Sequence, residues 1–444
     1  MHFNSLRLIL LAFAAAISTV AKASVPVDLP ANTEWAIQLG TPAFDGAVGV
    51  VVDSFGNSYL AGTTSGNLVS PSIGPRDTFL IKYDPLGSMI WFRQFGTDGN
   101  DEARAAAIDS LGNVYVTGVT DGDFNGTGLG QSDGFLRKFD SHGTVLWTRQ
   151  FGTDRTDSSN AVAVDSAGNA YLTGYTFGDL AGPRAGLDDA FLVKFDPLGN
   201  IDWSRQFGTS AGEAGFAVAV DAAGNPYVAG YTEESLFRPV VNHLEAFVVK
   251  FDDDGNQLWG RQSPVYRPYL DVDGEGNAYL SGSVDSPDEN SEDIYVAKYS
   301  PSGGFLWSRE LATDADEWAN AVTVDDNGNA FVVGITFGVF EGEPSALPDG
   351  LLIKLDPLGN PVLIDQYGAD SSMWPYSVAA DGRKVFIAGQ TKSSFGGPNA
   401  GGEDAFLVKL TVVPEPSPLL LALIVAVVFY RAKPDRPSTT TERH

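Results

Sequence analysis

Three landmarks return along the chain, mostly every 56 residues, and this recurrence limits the fold more than any other feature. The first is W-x-x-Q-x-G or a variant of it, at Trp35, Trp91, Trp147, Trp203, Trp259 and Trp307, with Leu363 in the seventh place. The second is D-x-x-G-N-x-aromatic, at Asp53, Asp109, Asp165, Asp221, Asp273 and Asp325, with a degenerate DGRKVF at 381–386. The third is acid-x-apolar-apolar-x-Lys, ending at Lys82, Lys138, Lys194, Lys250, Lys298, Lys354 and Lys409. A period near 50 residues with several short strands per unit predicts a propeller.

Each unit holds four strands. In the third they are AVAVD (a), AYLTGYT (b), DAFLVKFD (c) and IDWSRQFG (d). Ser166-Ala167-Gly168-Asn169 joins a to b, and Pro197-Leu198-Gly199-Asn200 joins c to d. Gly and Asn tolerate positive φ and Pro presets the first turn residue, so both joints read as tight hairpins. Strand a is built of small residues and strand d carries Trp203 and Arg205, which places a at the crowded axis and d outside. The series opens on a d strand near Trp35 and stops on a c strand near Leu410. The expected fold is therefore an all-β, seven-bladed propeller with four antiparallel strands per blade. Its N-terminal strand, 33–40, closes the last blade and removes an exposed edge. Seven d-a-b-c units in simple succession are the alternative.

Lines such as WSRQFGTSAGEAGFAVAVDAAGNPYVAGYT and DAFLVKFDPLGN resemble the SBBP family of bacterial β-propeller repeats. The resemblance runs over about 33–410 and implies the fold, not an activity.

The ends read as addresses. Residues 1–23 have a basic start at Arg7, an apolar run over 8–20, and small residues at Ala21 and Ala23 around Lys22. That order predicts a secretory signal peptide cut after Ala23; an N-terminal anchor is the other reading. The propeller is expected over 33–412. Beyond it, Pro414-Glu415-Pro416 precedes an apolar run, 419–430, and the basic residues Arg431, Lys433 and Arg436. Twelve helical residues span roughly 18 Å, short of a ~30 Å hydrocarbon core, so a permanent transmembrane helix is marginal. Residues 413–436 resemble the PEP-CTERM sorting signal of Gram-negative bacteria. The resemblance implies export and handling by an exosortase-type membrane protease, with the membrane reached at least transiently through this segment. The polar tail 437–444 departs from the family's usual abrupt end. The location implied is the cell surface or extracellular matrix.

Composition removes several classes of chemistry. There are no cysteines, hence no disulfide, thiolate metal site or thiol nucleophile. The four histidines, His2, His142, His243 and His444, are spread over the signal, a c–d turn, a b–c loop and the tail, which argues against a histidine triad or multi-histidine metal site. The net charge is −28. Without residues 1–23 and 414–444, 22 basic and 53 acidic residues remain, so the body repels nucleic acid.

The a–b and c–d turns lie at one end of each meander. The longer b–c and d–a loops lie at the other, and variable loops on a rigid frame are the expected binding face. Blade 5 is trimmed there: Trp259 to Asp273 is 14 positions where other units have 18, which predicts a notch. The same face collects Asp98, Asp101, Glu102, Asp154, Asp157, Glu213, Asp314, Asp316, Glu317 and Asp370. These acids read as a solvated rim. Asp98, Asp101, Glu102, Asp314, Asp316 and Glu317 are the candidates for holding Ca²⁺, which takes six or more oxygens; no other cofactor is implied. The acid opening each c strand (Asp77, Asp133, Asp189, Glu245, Asp293, Asp349 and Asp404), the recurring Lys and the recurring Trp read as structural. The function expected is a non-catalytic binding or structural protein with a glycan or surface protein as ligand. A carbohydrate-active enzyme using paired carboxylates on the loop face is the alternative.

Overall fold

A computed structural model describes residues 29–412, apart from 125–127, 240–243, 287–290, 341–346 and 369–371. The expected signal peptide, the Pro414-Glu415-Pro416 tail, His243 and Asp370 lie outside the described residues. Among the described residues no helix is long and apolar enough to cross a membrane.

Among the described residues, twenty-eight strands form seven four-stranded antiparallel sheets arranged as a propeller. In blade 1 the strands are Asp45–Val52 (a), Ser58–Thr64 (b), Asp77–Tyr83 (c) and Met89–Phe95 (d). The a strands meet one another around the axis, so small residues fall where room is least. Strands b and c of blade 1 are buried along their whole length, and d is half-buried at the rim. Tyr59 on b and Phe79, Leu80 and Ile81 on c are fully buried, and the apolar clusters run across blade junctions. A blade cannot bury both flat sides alone, which is why the units must close.

Closure follows the expected pairing. Strand Thr33–Leu39 runs antiparallel to Asp404–Thr411, with Trp35 opposite Lys409, and completes blade 7.

The hairpins correct one detail of the sequence reading. The corner is organised by the Asp ahead of the Gly-Asn pair. In the third blade, Asp165 Oδ1 accepts from the N–H groups of Ala167 and Asn169, both at 2.9 Å. Gly168 then takes φ +86°, which glycine alone adopts freely. In blade 2 the recurring Lys reaches the equivalent carboxyl: Lys138 Nζ lies 3.5 Å from Asp109 Oδ2, 4.6 Å from the Tyr115 ring centre and 3.4 Å from Pro197 O of the next blade, whereas Lys194 of the third blade pairs with Asp253 of the next.

The recurring Trp clasps the neighbouring blade. Trp91 Nε1 donates to Ser141 O (3.1 Å), in the c–d turn of blade 2, and Arg93 Nε donates to Gly143 O (2.7 Å). A Cβ at Gly143 would lie 3.0 Å from the indole, so this glycine serves both the φ of +76° and the close approach. The indole contact repeats from Trp35 to Pro85, Trp147 to Pro197, Trp203 to Asp253, Trp259 to Pro301 and Trp307 to Pro357. The junction without it is blade 6 to blade 7, where two chain ends replace a c–d turn. There Leu363 stands for Trp and Asp365 for Arg, and Asp365 accepts from Ala31 N–H (2.6 Å). The seventh landmark degenerates because its turn does not exist.

Trp147→Phe keeps the ring but removes the bond to Pro197. We expect a loss of about 1–2 kcal/mol in a chemical denaturation series, against little change for Leu363→Phe.

Candidate functional site

The recurring acids come first, because the fold consumes most of them. Asp101 opens strand a of blade 2 and is fully buried, as are Asp157, Glu213 and Glu317 in later blades. This overturns the solvated-rim reading for those four. Thr97 donates to Asp101 Oδ2 through its backbone N–H (2.6 Å) and hydroxyl (2.9 Å), which turns the loop back into the strand. Asp77, on strand c of blade 1, takes Gln94 Nε2 at 2.7 Å. The two carboxyls flank Gly96, where a Cβ would lie 2.7 Å from Asp101 Oδ2 and 2.8 Å from Asp77 Oδ1. The same sandwich recurs at Gly152 between Asp133 and Asp157, and at Gly208 between Asp189 and Glu213. Blade 5 lacks the a-strand acid, and Arg238 pairs with Glu245 at that junction instead (3.0 Å).

Burial pushes the carboxyls of Asp45, Asp101, Asp157 and Glu317 upward, and the facing acids Asp404, Asp77, Asp133 and Asp293 add to it. At Asp53, Asp221 and Asp273 burial also opposes ionisation. There the Asn amides and backbone N–H groups of the turn outweigh it, joined at Asp221 and Asp273 by a Lys, and hold the carboxyls low.

The metal candidates do not converge. Asp98 and Asp314 are exposed, Asp316 accepts from Glu292 N–H (3.0 Å), and Glu102 pairs with Arg76 and with Arg104 Nη2 (3.0 Å). Among the described residues no three His, Asp or Glu side chains are grouped to hold a metal ion.

What remains is the loop-side mouth of the axis. Every a strand is bulged near its start, and the bulge breaks the repeat: Val48, Arg104, Asn160, Phe216, Asn320 and Tyr376 occupy equivalent places. Such bulges re-aim side chains. Phe216 is 40% exposed and packs on Tyr231 at 5.5 Å. A pocket of about 380 Å³ across blades 1 to 3 is lined by Arg76, Glu102, Arg104, Asp121, Ser158 and Tyr175.

The trimmed blade 5 shapes the opposite side. Only Pro264 and Val265 join its neighbour's last strand, Gln257–Ser263, to Tyr266–Val272, and Val265 is fully buried. Arg267 follows with φ +50°, one of two non-glycine residues in that region among those described. Its guanidinium sits 4.6 Å from the Trp318 ring of blade 6. Trp318 in turn meets Phe337 (5.5 Å) and Trp374 of blade 7 (6.1 Å), and its buried Nε1 has no hydrogen-bond partner among the described residues. Strain of this kind at a non-glycine residue gathers at functional sites. The notch expected from the sequence is thus occupied by an arginine and aromatic cluster. Sequence reading passed over it because it sought what repeats; the signal was Trp318 and Trp374 standing where other units have Gly46, Glu102, Ser158 and Ala214.

A family model described as a beta-propeller repeat, SBBP, matches residues 34–68, 90–125 and 146–181. The SBBP match thus falls on three of the seven units. The chain is 28% identical over 197 residues to the regulatory protein FlaEY of Caulobacter vibrioides, covering 40% of this chain and 20% of that protein. It is 20% identical over 429 residues to the uncharacterized WD repeat-containing protein L264 of Acanthamoeba polyphaga mimivirus, covering 68% and 31%. The chain therefore spans less than a third of the length of either relative. Among solved structures, the polysaccharide lyase Uly1 is similar with a TM-score of 0.50 and 10% identity, over 86% of this chain and all of that one. That likeness is one of fold alone.

The junction acids give a pH signature. A carboxyl raised in the folded state binds its proton more readily there than in the unfolded chain. Stability from these groups therefore rises as pH falls from neutrality toward the ordinary carboxylate range. Asp101→Asn keeps an oxygen for Thr97 and removes one like charge. Thermal unfolding of this variant is expected to start no lower than the parent at pH 7 and to gain less on acidification. A parent and variant with parallel pH profiles would remove the account.

Proposed function

We propose that this protein is an exported, non-catalytic binding propeller that takes a glycan at the loop-side mouth of its axis. Its tail then delivers it, through an exosortase-type protease, to the cell surface or matrix. The observation that carries the reading is the cluster of Arg267, Trp318, Phe337 and Trp374, held by a strained backbone beside the shortened loop. Aromatic faces with one polar tip suit the apolar faces and hydroxyls of a sugar ring, and few, fixed polar groups give orientation. The excess of acids disfavours nucleic acid.

The paired-carboxylate enzyme draws no support from the recurring pairs. Asp77, Asp101, Asp157 and Glu213 are fully buried within blade junctions, where a polysaccharide does not reach.

Glycan-array binding with residues 24–412 is the first test, followed by the Trp318→Ala, Trp374→Ala double variant. We expect selective binding that weakens at least about tenfold in the variant, as for loss of aromatic anchors, with unfolding still cooperative. A blank array together with a surface protein captured by the parent but not the variant transfers the site to a protein ligand. Binding that ignores both tryptophans removes the mouth as the site.

A further inference from the structure

The turn face, opposite the mouth, carries large exposed apolar residues at one repeated position. The third residue of each Asp-x-x-Gly turn is exposed and stands outside the Asp and Gly contacts that shape the turn, although Glu275 accepts from Asn277 Nδ2 (3.3 Å). Chain order makes the choice informative. Blades 1 to 3 place Phe55, Leu86, Leu111 and Leu198 there and blade 6 places Leu358, 71–82% exposed, with His142 and Ala167 at the remaining turns of blades 2 and 3. Blades 4 and 5 place Asp254 and Glu275 at the same position, also exposed. The turns themselves are alike, with Gly56, Gly112, Gly255 and Gly276 all near φ +80°. A local structural need would act on all of them equally, so the sector running from blade 6 past blade 7 to blade 3 carries its large apolar tips for another reason.

We infer that this sector rests on a lipid bilayer. Strand Asp404–Thr411 ends on the turn face, and its Lys409 donates to Pro85 O (2.9 Å), the residue before Leu86. The described chain therefore leaves beside the apolar sector. Seven residues, 412–418, separate that point from the apolar run 419–430, and they reach at most about 25 Å. Phe55 and Leu111 also border a cleft of about 320 Å³ floored by Val52, Ile108 and Lys82. Apolar tips carried on separate turns fit a lipid surface better than a helix in a groove. The many turn carboxylates make the partner a zwitterionic surface, since anionic lipid would be repelled.

The chain has no cysteine, so a single nitroxide label can be placed by Leu111→Cys or by Glu275→Cys in the full chain. The probe is a phosphatidylcholine vesicle. With vesicles, collision of the label at 111 with a water-soluble nickel chelate should fall at least about threefold while collision with oxygen rises, and the label at 275 should not change. Phe55→Ser with Leu86→Ser should restore nickel access at 111. Exchanging about a third of the lipid for phosphatidylglycerol should do so in part. Equal access at 111 and 275, or protection at 111 that survives the double serine change, overturns the inference. Protection at 111 without vesicles overturns it too, and assigns the sector to a second copy of the chain.

Discussion

The ring depends on one repeated contact, an indole and a guanidinium from the outer strand of one blade gripping backbone carbonyls in the c–d turn of the next. Trp91 and Arg93 reaching Ser141 and Gly143 show its parts. At five junctions the contact uses a Trp and an Arg two residues apart on a strand, so that both project to the same side; beside Trp35 the place of the Arg is taken by Ile37. The contact also needs a glycine in the receiving turn, because the turn takes positive φ and the indole leaves no space for a Cβ. Where the junction is made by chain ends instead, Leu363 and Asp365 appear, and the backbone of Ala31 takes the place of a turn.

Polar conservation within the repeat has the same origin. The acid opening strand a, the acid opening strand c, the Gln of strand d and the intervening glycine form one buried unit at each full junction. Its like-charged carboxyls are tolerated because threonine hydroxyls and backbone N–H groups solvate them internally. A residue repeated around the ring is therefore spent on the ring. Chemistry directed outward has to come from places where the units disagree, and the bulged start of strand a is such a place: arginine, asparagine, phenylalanine and tyrosine stand there in turn.

The two ends of the propeller divide accordingly. The loop end gains its character from a deletion in blade 5, which draws Val265 inward and sets Arg267 over Trp318. The turn end keeps its backbone nearly invariant and varies mainly in exposed turn side chains. One end is specialised through its main chain and the other mainly through side chains.

The amino-acid sequence by itself determined the number of blades, the order of strands, the inner and outer positions and the pairing of residues 33–39 with the last blade. These follow from period, turn chemistry and phase, all of which are local or additive along a repeat. It also marked blade 5 as shortened. Which acids are buried, and that Trp318, Trp374 and Arg267 meet, depended on the tertiary structure. Residues 50 or more positions apart become neighbours only when blades turn about the axis, and a one-dimensional period carries no record of which side of a strand faces that axis once a bulge has shifted it.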